Sequence, residues 1–380
     1  MPAWESYNLH REYMQKEIMN EEGGDGMDKE KRGSAVLWAL AAVLIALVLI
    51  SFLLGRYPVP PAAVGGILLN KLLQGLGKLL SPLIPTAGSW GIVPFWDGSM
   101  EAVAWNIRLP RILLSCMVGC CLSVSGASYQ GVFQNPMASP DILGATNGAA
   151  FGAALAILLG AASQMITLSA FCFSVVTVAA AFAISRVAGG KRVLTLVLAG
   201  IMVGSLFSAG TSFIKLVADP SNQLPEITYW LMGSLSGAKW KQVGLAAVPM
   251  AVGLMPLVLL RWRVNVLTLG DDEARTMGVN AGRVRLVVIL CATLITAASV
   301  AVSGMIGWVG LVIPHLSRKL VGNDYRRLMP ASMLFGAAFM LAVDNVSRNL
   351  LATEIPIGIL TAFVGAPFFI WLITRKGDAF

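Results

Sequence analysis

Histidine is nearly missing from this 380-residue chain; only His10 and His315 occur. Charge is scarce as well, at 13% Asp, Glu, Lys and Arg, against about 25% in a typical soluble domain. The five cysteines, Cys116, Cys120, Cys121, Cys172 and Cys291, all lie inside apolar runs. None has a CxxC partner or an extramembrane disulfide spacing, so they read as small buried apolar residues. A His/Cys metal site is therefore not expected, and His315 reads as structural. The sequence also lacks GxxxxGK[ST], HExxH, GxSxG and paired carboxylates on a helix. These absences predict a chain that is no enzyme, binds no cofactor and cradles no ATP phosphates itself.

Apolar residues make up 56% of the chain, with 39 glycines and a mean hydropathy of +0.74. A soluble core of this size has no room for so much apolar surface, so lipid must solvate part of it. Glycine suits that setting because small residues let membrane helices approach closely. The formal net charge of +8 raises nucleic acid as a partner. The basic residues sit in short loops between apolar runs instead of one patch with interleaved aromatics, which excludes it.

A hydropathy walk predicts an all-α polytopic membrane protein with ten spans, near 35–55, 110–132, 143–160, 165–187, 193–216, 243–261, 285–304, 306–321, 329–350 and 357–374. The pair in 285–321 is interrupted by Gly304, Gly307 and Gly310 and reads as two helices joined by a tight turn, with one kinked helix as the alternative. Nineteen of the 28 Lys and Arg fall on the side that carries both termini, which places the termini in the cytoplasm. The expected organisation is a cytoplasmic tail without fixed structure over 1–33, a membrane domain over 34–376 and a short cytoplasmic tail over 377–380. No cleavable leader is evident; Ala35 to Leu54 reads as a helix that stays. The loop 56–109 is expected outside, as short helices along the membrane interface.

Four segments break the apolar pattern. Arg108-Leu-Pro-Arg111 places two arginines at the outer start of a span. Pro110 suits a first helical turn, and the three-residue spacing predicts that both arginines project together to the outer surface, towards lipid phosphate or an acidic partner. Gln130 to Gly144 contains Asn135-Pro136 and Pro140. Non-helical backbone near membrane depth is tolerated against protein or a water-filled cavity, so this stretch is a candidate to line a path. Asp344 is the clearest carboxylate within a span; Asp141 and Glu354 lie near span ends. Pairing of Asp344 with Arg348 one turn away is the expected structural role, and a proton relay the alternative. Leu267 to Asn280 predicts a short amphipathic helix near 270–277, acidic at its start and ended by Gly278, then a second short turn. It reads as a solvated loop or as a surface for a cytoplasmic partner.

Together these segments resemble the FecCD/vitamin B12-type permease family, which imports ferric siderophores, haem and cobalamin. The resemblance is carried by Arg108-Leu-Pro-Arg111, Ser125-Gly126, Gln130-Gly131, Asn135-Pro136, Leu143-Gly144, Leu198-Ala-Gly200 and Tyr229-Trp-Leu-Met-Gly233. It continues in Ala274-Arg-Thr-Met-Gly-Val279, Gly307 to His315, Pro356-Ile-Gly358 and Gly365-Ala-Pro-Phe368. It implies a permease in the cytoplasmic (inner) membrane that pairs with a second copy, two cytoplasmic ATPase subunits that use ATP and magnesium, and an external substrate-binding protein. It implies docking of that protein at Arg108, Arg111 and Arg348. ATPase contact is implied at Leu269–Arg283, with Gly270, Asp271, Glu273, Ala274, Arg275, Met277 and Gly278 on the contact helices. The implied path follows Val193–Leu216 and Pro356–Thr374, with Asn135, Pro136, Gly200, Gly358, Gly365 and Pro367 at path or hinge positions. A gate maps loosely onto Gly189–Val193. The expected cargo is an iron chelate, with a corrinoid by the same mechanism, or a stand-alone secondary carrier, as alternatives. The tail 1–33 has no counterpart in the resemblance.

Overall fold

The computed structural model describes residues 33–81, 84, 90–188 and 192–374. The expectations for the two tails and most of the gate segment, 189–191, lie outside the described residues. Among those described the secondary structure is helical, with no strand.

In chain order the helices are α1 (Gly33–Leu53), α2 (Pro61–Leu80), α3 (Gly98–Val132), α4 (Ala145–Leu158), α5 (Ser163–Ala188), α6 (Arg192–Val217) and α7 (Gln223–Met232). They continue as α8 (Trp240–Leu259), α9 (Arg261–Thr268), α10 (Asp271–Thr276), α11 (Ala281–Ser303), α12 (Val309–Val321), α13 (Tyr325–Asn349) and α14 (Ile357–Thr374). Seven of them, α1, α3, α5, α6, α8, α11 and α13, are long and apolar enough to cross a membrane; α4 and α14 are apolar but shorter. The break at 285–321 is two helices. Gly304 leaves α11 at φ +68°, and Trp308, at φ +70°, starts the turn into α12.

Three local expectations are corrected. Residues 61–80 form one 20-residue helix with an apolar stripe rather than several short helices. The expected loop after the sixth span contains α9, whose Val264, Val266 and Leu267 are buried. Pro110 does stand in the first turn of the α-helical stretch Leu109–Val132, but that stretch continues a helix begun at Gly98 instead of starting from a loop. The stretch Ala102–Arg108 is wound as a π-helix, and the Leu109 amide donates to the Ala104 carbonyl. A proline inside a helix removes one amide donor and crowds the preceding turn, and the wider winding just before it accommodates that.

α3 is the spine of the bundle and packs on α13, α11, α12 and α8. Its small residues explain how. A Cβ built on Gly126 would lie 1.7 Å from the Gly310 carbonyl oxygen of α12, and one on Gly119 would lie 2.2 Å from the Gly336 carbonyl oxygen of α13. The backbones touch there, as the dispersion-driven packing of membrane helices requires. Gly126→Ala is expected to lower stability by about 1–3 kcal/mol, the usual range for overpacking, read as an earlier thermal transition in detergent; an unchanged transition would remove the close contact. α4, α5 and α6 form a second group, joined to the spine through α11. α1 leaves most of its surface exposed, consistent with a helix on the lipid side.

Candidate functional site

One end of the bundle collects the arginines. Arg111 turns inward and donates from Nε and Nη2 to Asp344 at 2.9–3.1 Å, and from Nη1 and Nη2 to Glu354 at 2.8 and 3.0 Å. Asp344 is 0% and Arg111 6% exposed, so this carboxylate–guanidinium–carboxylate cluster is out of water, except that Glu354 is partly open. Arg108 points elsewhere and donates to the carbonyls of Phe52 and Tyr57, at and beyond the end of α1. Arg348 donates to the Ser51 carbonyl at 2.8 Å, to Ser51 Oγ at 2.7 Å and to Asn345 Oδ1.

The expectation that Arg108 and Arg111 share an outward face is thus corrected: Arg108, Arg111 and Arg348 are all buried. The physical reason is the helix in front of them. α1 caps the arginine end with free carbonyls that accept from two guanidiniums, and α13 supplies a buried carboxylate for the third. Asp344 pairs with Arg111, 233 residues away, and not with Arg348 one turn away. Ser51 and Asn345 were not singled out in the sequence; a lone serine near a helix end carries no signal of its own.

The opposite end carries α9 and α10. Ala274 is buried, while Asp271, Asp272, Glu273, Arg275, Met277 and Gly278 are exposed. α10 therefore lies on the bundle by one residue and presents the rest outward. Gly270, at φ +126°, is its N-cap, and Gly278, at φ +76°, ends the turn after it as expected. Arg285 of α11 anchors Asp271 at 2.7 and 3.2 Å. Gln134, Asp271, Arg275, Asn280 and Arg285 line a groove of about 720 Å³ beside this helix.

α9 is tied to α13 through Asn265, which donates to Asp324 and accepts from the Tyr325 amide at 2.7 Å. Asp324 caps α13 by accepting from the Arg326 amide at 2.9 Å. Burial pushes the Asp324 carboxyl up, but the Arg326 amide, Asn265 and the charges of Arg326 and Arg327 outweigh it, so its pKa sits below the ordinary value. A depressed folded pKa means that the cap's contribution is complete above the unfolded carboxylate value of about 4 and is lost as pH falls through the folded value. Asp324→Ala is expected to cost about 1 kcal/mol at neutral pH, with wild type and variant converging in acid; a difference that persisted at low pH would contradict the cap.

Between the two ends, the non-helical stretch 133–144 runs into the bundle. Gln134 Nε2 donates to the Leu267 carbonyl at 2.7 Å, and Asn135 Oδ1 accepts from the Met137 amide, so Asn135-Pro136 form a tight turn against α9. Further in, Ile142 and Leu143 press against Gly200 of α6. Trp308, on the turn into α12, lies on Gly365 of α14, where a Cβ would come within 2.5 Å of the indole, and its ring centroid is 5.9 Å from that of Phe369. Gly358 faces the carbonyls of Met232 and Met305. The predicted path positions therefore fall into two groups. Gly200, Gly358 and Gly365 sit at helix contacts, whereas Asn135 and Pro136 sit at the α9 end and Pro367 is exposed on α14. α6 and α14 expose large apolar side chains, among them Leu198, Met202, Leu206, Phe363 and Val364. α14 contains no charged residue, and α6 is uncharged from Val193 to Ile214.

The FecCD transport family model matches residues 43–375. The molybdate import system permease of Haemophilus influenzae is 39% identical over 88% of this chain and 94% of its own length. The cobalamin import system permease of Halobacterium salinarum is 37% identical over 92% of this chain and 98% of its own. A solved inward-facing ABC transporter of metal-chelate type is 38% identical, with a TM-score of 0.77 over 90% of this chain and 99% of that one. The family model and these relatives match along nearly the whole length of this helical membrane bundle, and the chain belongs to the FecCD transport family.

Proposed function

We propose that this chain is the membrane permease of an ATP-driven importer for a metal chelate, with an iron chelate the leading cargo. The observation that carries the reading is α10: a short helix seated by buried Ala274, pinned by Arg285 and otherwise exposed, at one end of a bundle whose sequence has no phosphate-binding loop. Such a helix transmits movement from a separate ATPase.

In this reading the chain crosses the membrane ten times, with α4, α12 and α14 completing the seven long helices and both termini in the cytoplasm. The distribution of Lys and Arg supports that orientation. Two copies form a homodimer around the charge-poor, apolar faces of α6 and α14, and two ATPase subunits dock on α10. A bulky chelate needs a wide path with few charges, and its metal stays in its own chelator. An external binding protein docks at the arginine end, where Glu354 is partly open; Arg108, Arg111 and Arg348 stiffen that rim. The relatives named for cobalamin and metal-chelate transport support this cargo class.

The test is reconstitution. The chain, the ATPase and the binding protein in proteoliposomes are expected to accumulate a ferric chelate only with ATP, and the chelate is expected to stimulate hydrolysis. Uphill uptake by the chain alone would replace the reading with a secondary carrier.

A further inference from the structure

A carboxylate lies exposed inside the bundle. Asp141 sits on the single turn Pro140–Leu143, at the inner tip of the non-helical stretch, and faces a cavity of about 240 Å³. Leu122 of α3, Val300 of α11 and Trp308 form its apolar wall. The turn that carries Asp141 backs onto α6 through Ile142 and Leu143 at Gly200, and Trp308 backs onto α14 at Gly365. The cavity therefore lies between the two helices proposed above to line the path.

Among the described residues nothing cationic balances this charge. The carboxylate accepts from Thr146 Oγ1 and, at 3.3 Å, from Ser139 Oγ, both neutral donors. The cavity lining contains no Lys, Arg or His, and among the described residues the ion pairs are those of other carboxylates. The contrast with Asp344 is direct: that carboxylate is closed off and neutralised by Arg111, whereas Asp141 is open and unpaired. The N-terminus of α4, which begins at Ala145, follows the turn and favours negative charge beside it. An ionisable group at membrane depth that faces a cavity acts on what passes through it.

We propose that Asp141 selects cargo by charge: it admits complexes that present a neutral, hydrogen-bond-donating or cationic face and disfavours oxyanions and anionic chelates. This rests on the permease reading above and narrows its substrate class. A fixed negative charge beside apolar walls is poorly screened, so a passing anion meets repulsion that a neutral chelate does not. The discrimination is repulsive rather than attractive, which lets a neutral cargo leave as easily as it enters. Each copy of the chain contributes one such charge.

The experiment compares two cargoes of one scaffold in the reconstituted complex: a neutral ferric trihydroxamate and the same complex carrying a single added carboxylate. The affinity of the binding protein for each is measured separately, and uptake is read at saturation. Wild type is expected to favour the neutral complex, and Asp141→Asn to raise the anionic-to-neutral uptake ratio by about tenfold, the scale of removing a like-charge contact. Thr146→Val keeps the charge but removes a hydroxyl that holds the turn, and is expected to leave the ratio within about twofold of wild type. An unchanged ratio in Asp141→Asn, or the same change in Thr146→Val, would overturn the assignment and make Asp141 a turn residue. Failure of both chelates to drive uptake in wild type would instead overturn the permease reading.

Discussion

Arg111→Ala is expected to destabilise the protein by about 3–5 kcal/mol, the cost of leaving a buried charge without its partner. The alanine would strand Asp344, which is 0% exposed and whose carboxylate takes three of the five Arg111 hydrogen bonds. The reverse truncation is expected to be milder. In Asp344→Asn the guanidinium keeps Glu354 at 2.8 and 3.0 Å, and Glu354 is open enough to be solvated. Replacing both buried partners, as in Arg111→Met with Asp344→Leu, is expected to recover most of the loss, because an apolar pair of similar volume asks for no desolvation. Thermal unfolding in detergent, followed by size-exclusion fluorescence, ranks the three. If Arg111→Ala melted with wild type, the cluster would not be a structural element, and docking alone would account for Arg111.

The second large effect is expected at α10. Met277 is 52% exposed and lies just beyond the last turn of the helix. Met277→Glu changes a side chain that is half open to solvent in the isolated chain, so its stability is expected to stay within about 0.5 kcal/mol of wild type. In the complex the same charge faces the ATPase. Uptake is expected to fall by at least about tenfold while hydrolysis continues, since burying an unpaired carboxylate at an interface costs on the order of 1–3 kcal/mol or more. Adding a side chain at Gly278, which holds φ +76°, adds backbone strain and is expected to deepen the defect. Full coupling in Met277→Glu would move the ATPase contact off α10. The neighbouring Ala274 behaves differently: it is buried, and a larger residue there acts on the seat of the helix instead of its contact face.

Much of the architecture is legible in the sequence because lipid imposes simple demands. A helix stands at each predicted apolar segment, and the two-helix reading of 285–321 holds because Gly304 adopts a backbone that an L-residue avoids. The α10 helix and its glycine stop are also as predicted, since acidic residues at a helix start and glycine after its end act locally. The arginines show where local reasoning ends. Spacing places Arg108 and Arg111 near one another on a helix, but not which distant atoms they meet. The partners of Arg108 are carbonyls 51 and 56 residues away, and Asp344 is 233 residues from Arg111. Pro110 misled for a related reason: the proline is compatible with a first turn, yet the residues before it continue as a π-helix instead of a loop.

Asp141 marks the same division. Its sequence position, one residue after Pro140 in a stretch that cannot remain helical, signals irregular backbone near a span end. Only the packing of that stretch against Gly200, with Trp308 held over Gly365, turns the carboxylate towards a cavity. Apolar run length, glycine placement and the bias of basic residues determined by themselves that the chain is a helical membrane protein, because each acts through its nearest neighbours or through lipid. Which charges are neutralised and which remain open was decided by the tertiary structure. A guanidinium or carboxylate in a low-dielectric interior is governed by whichever partner the fold brings within 3 Å, at any separation along the chain.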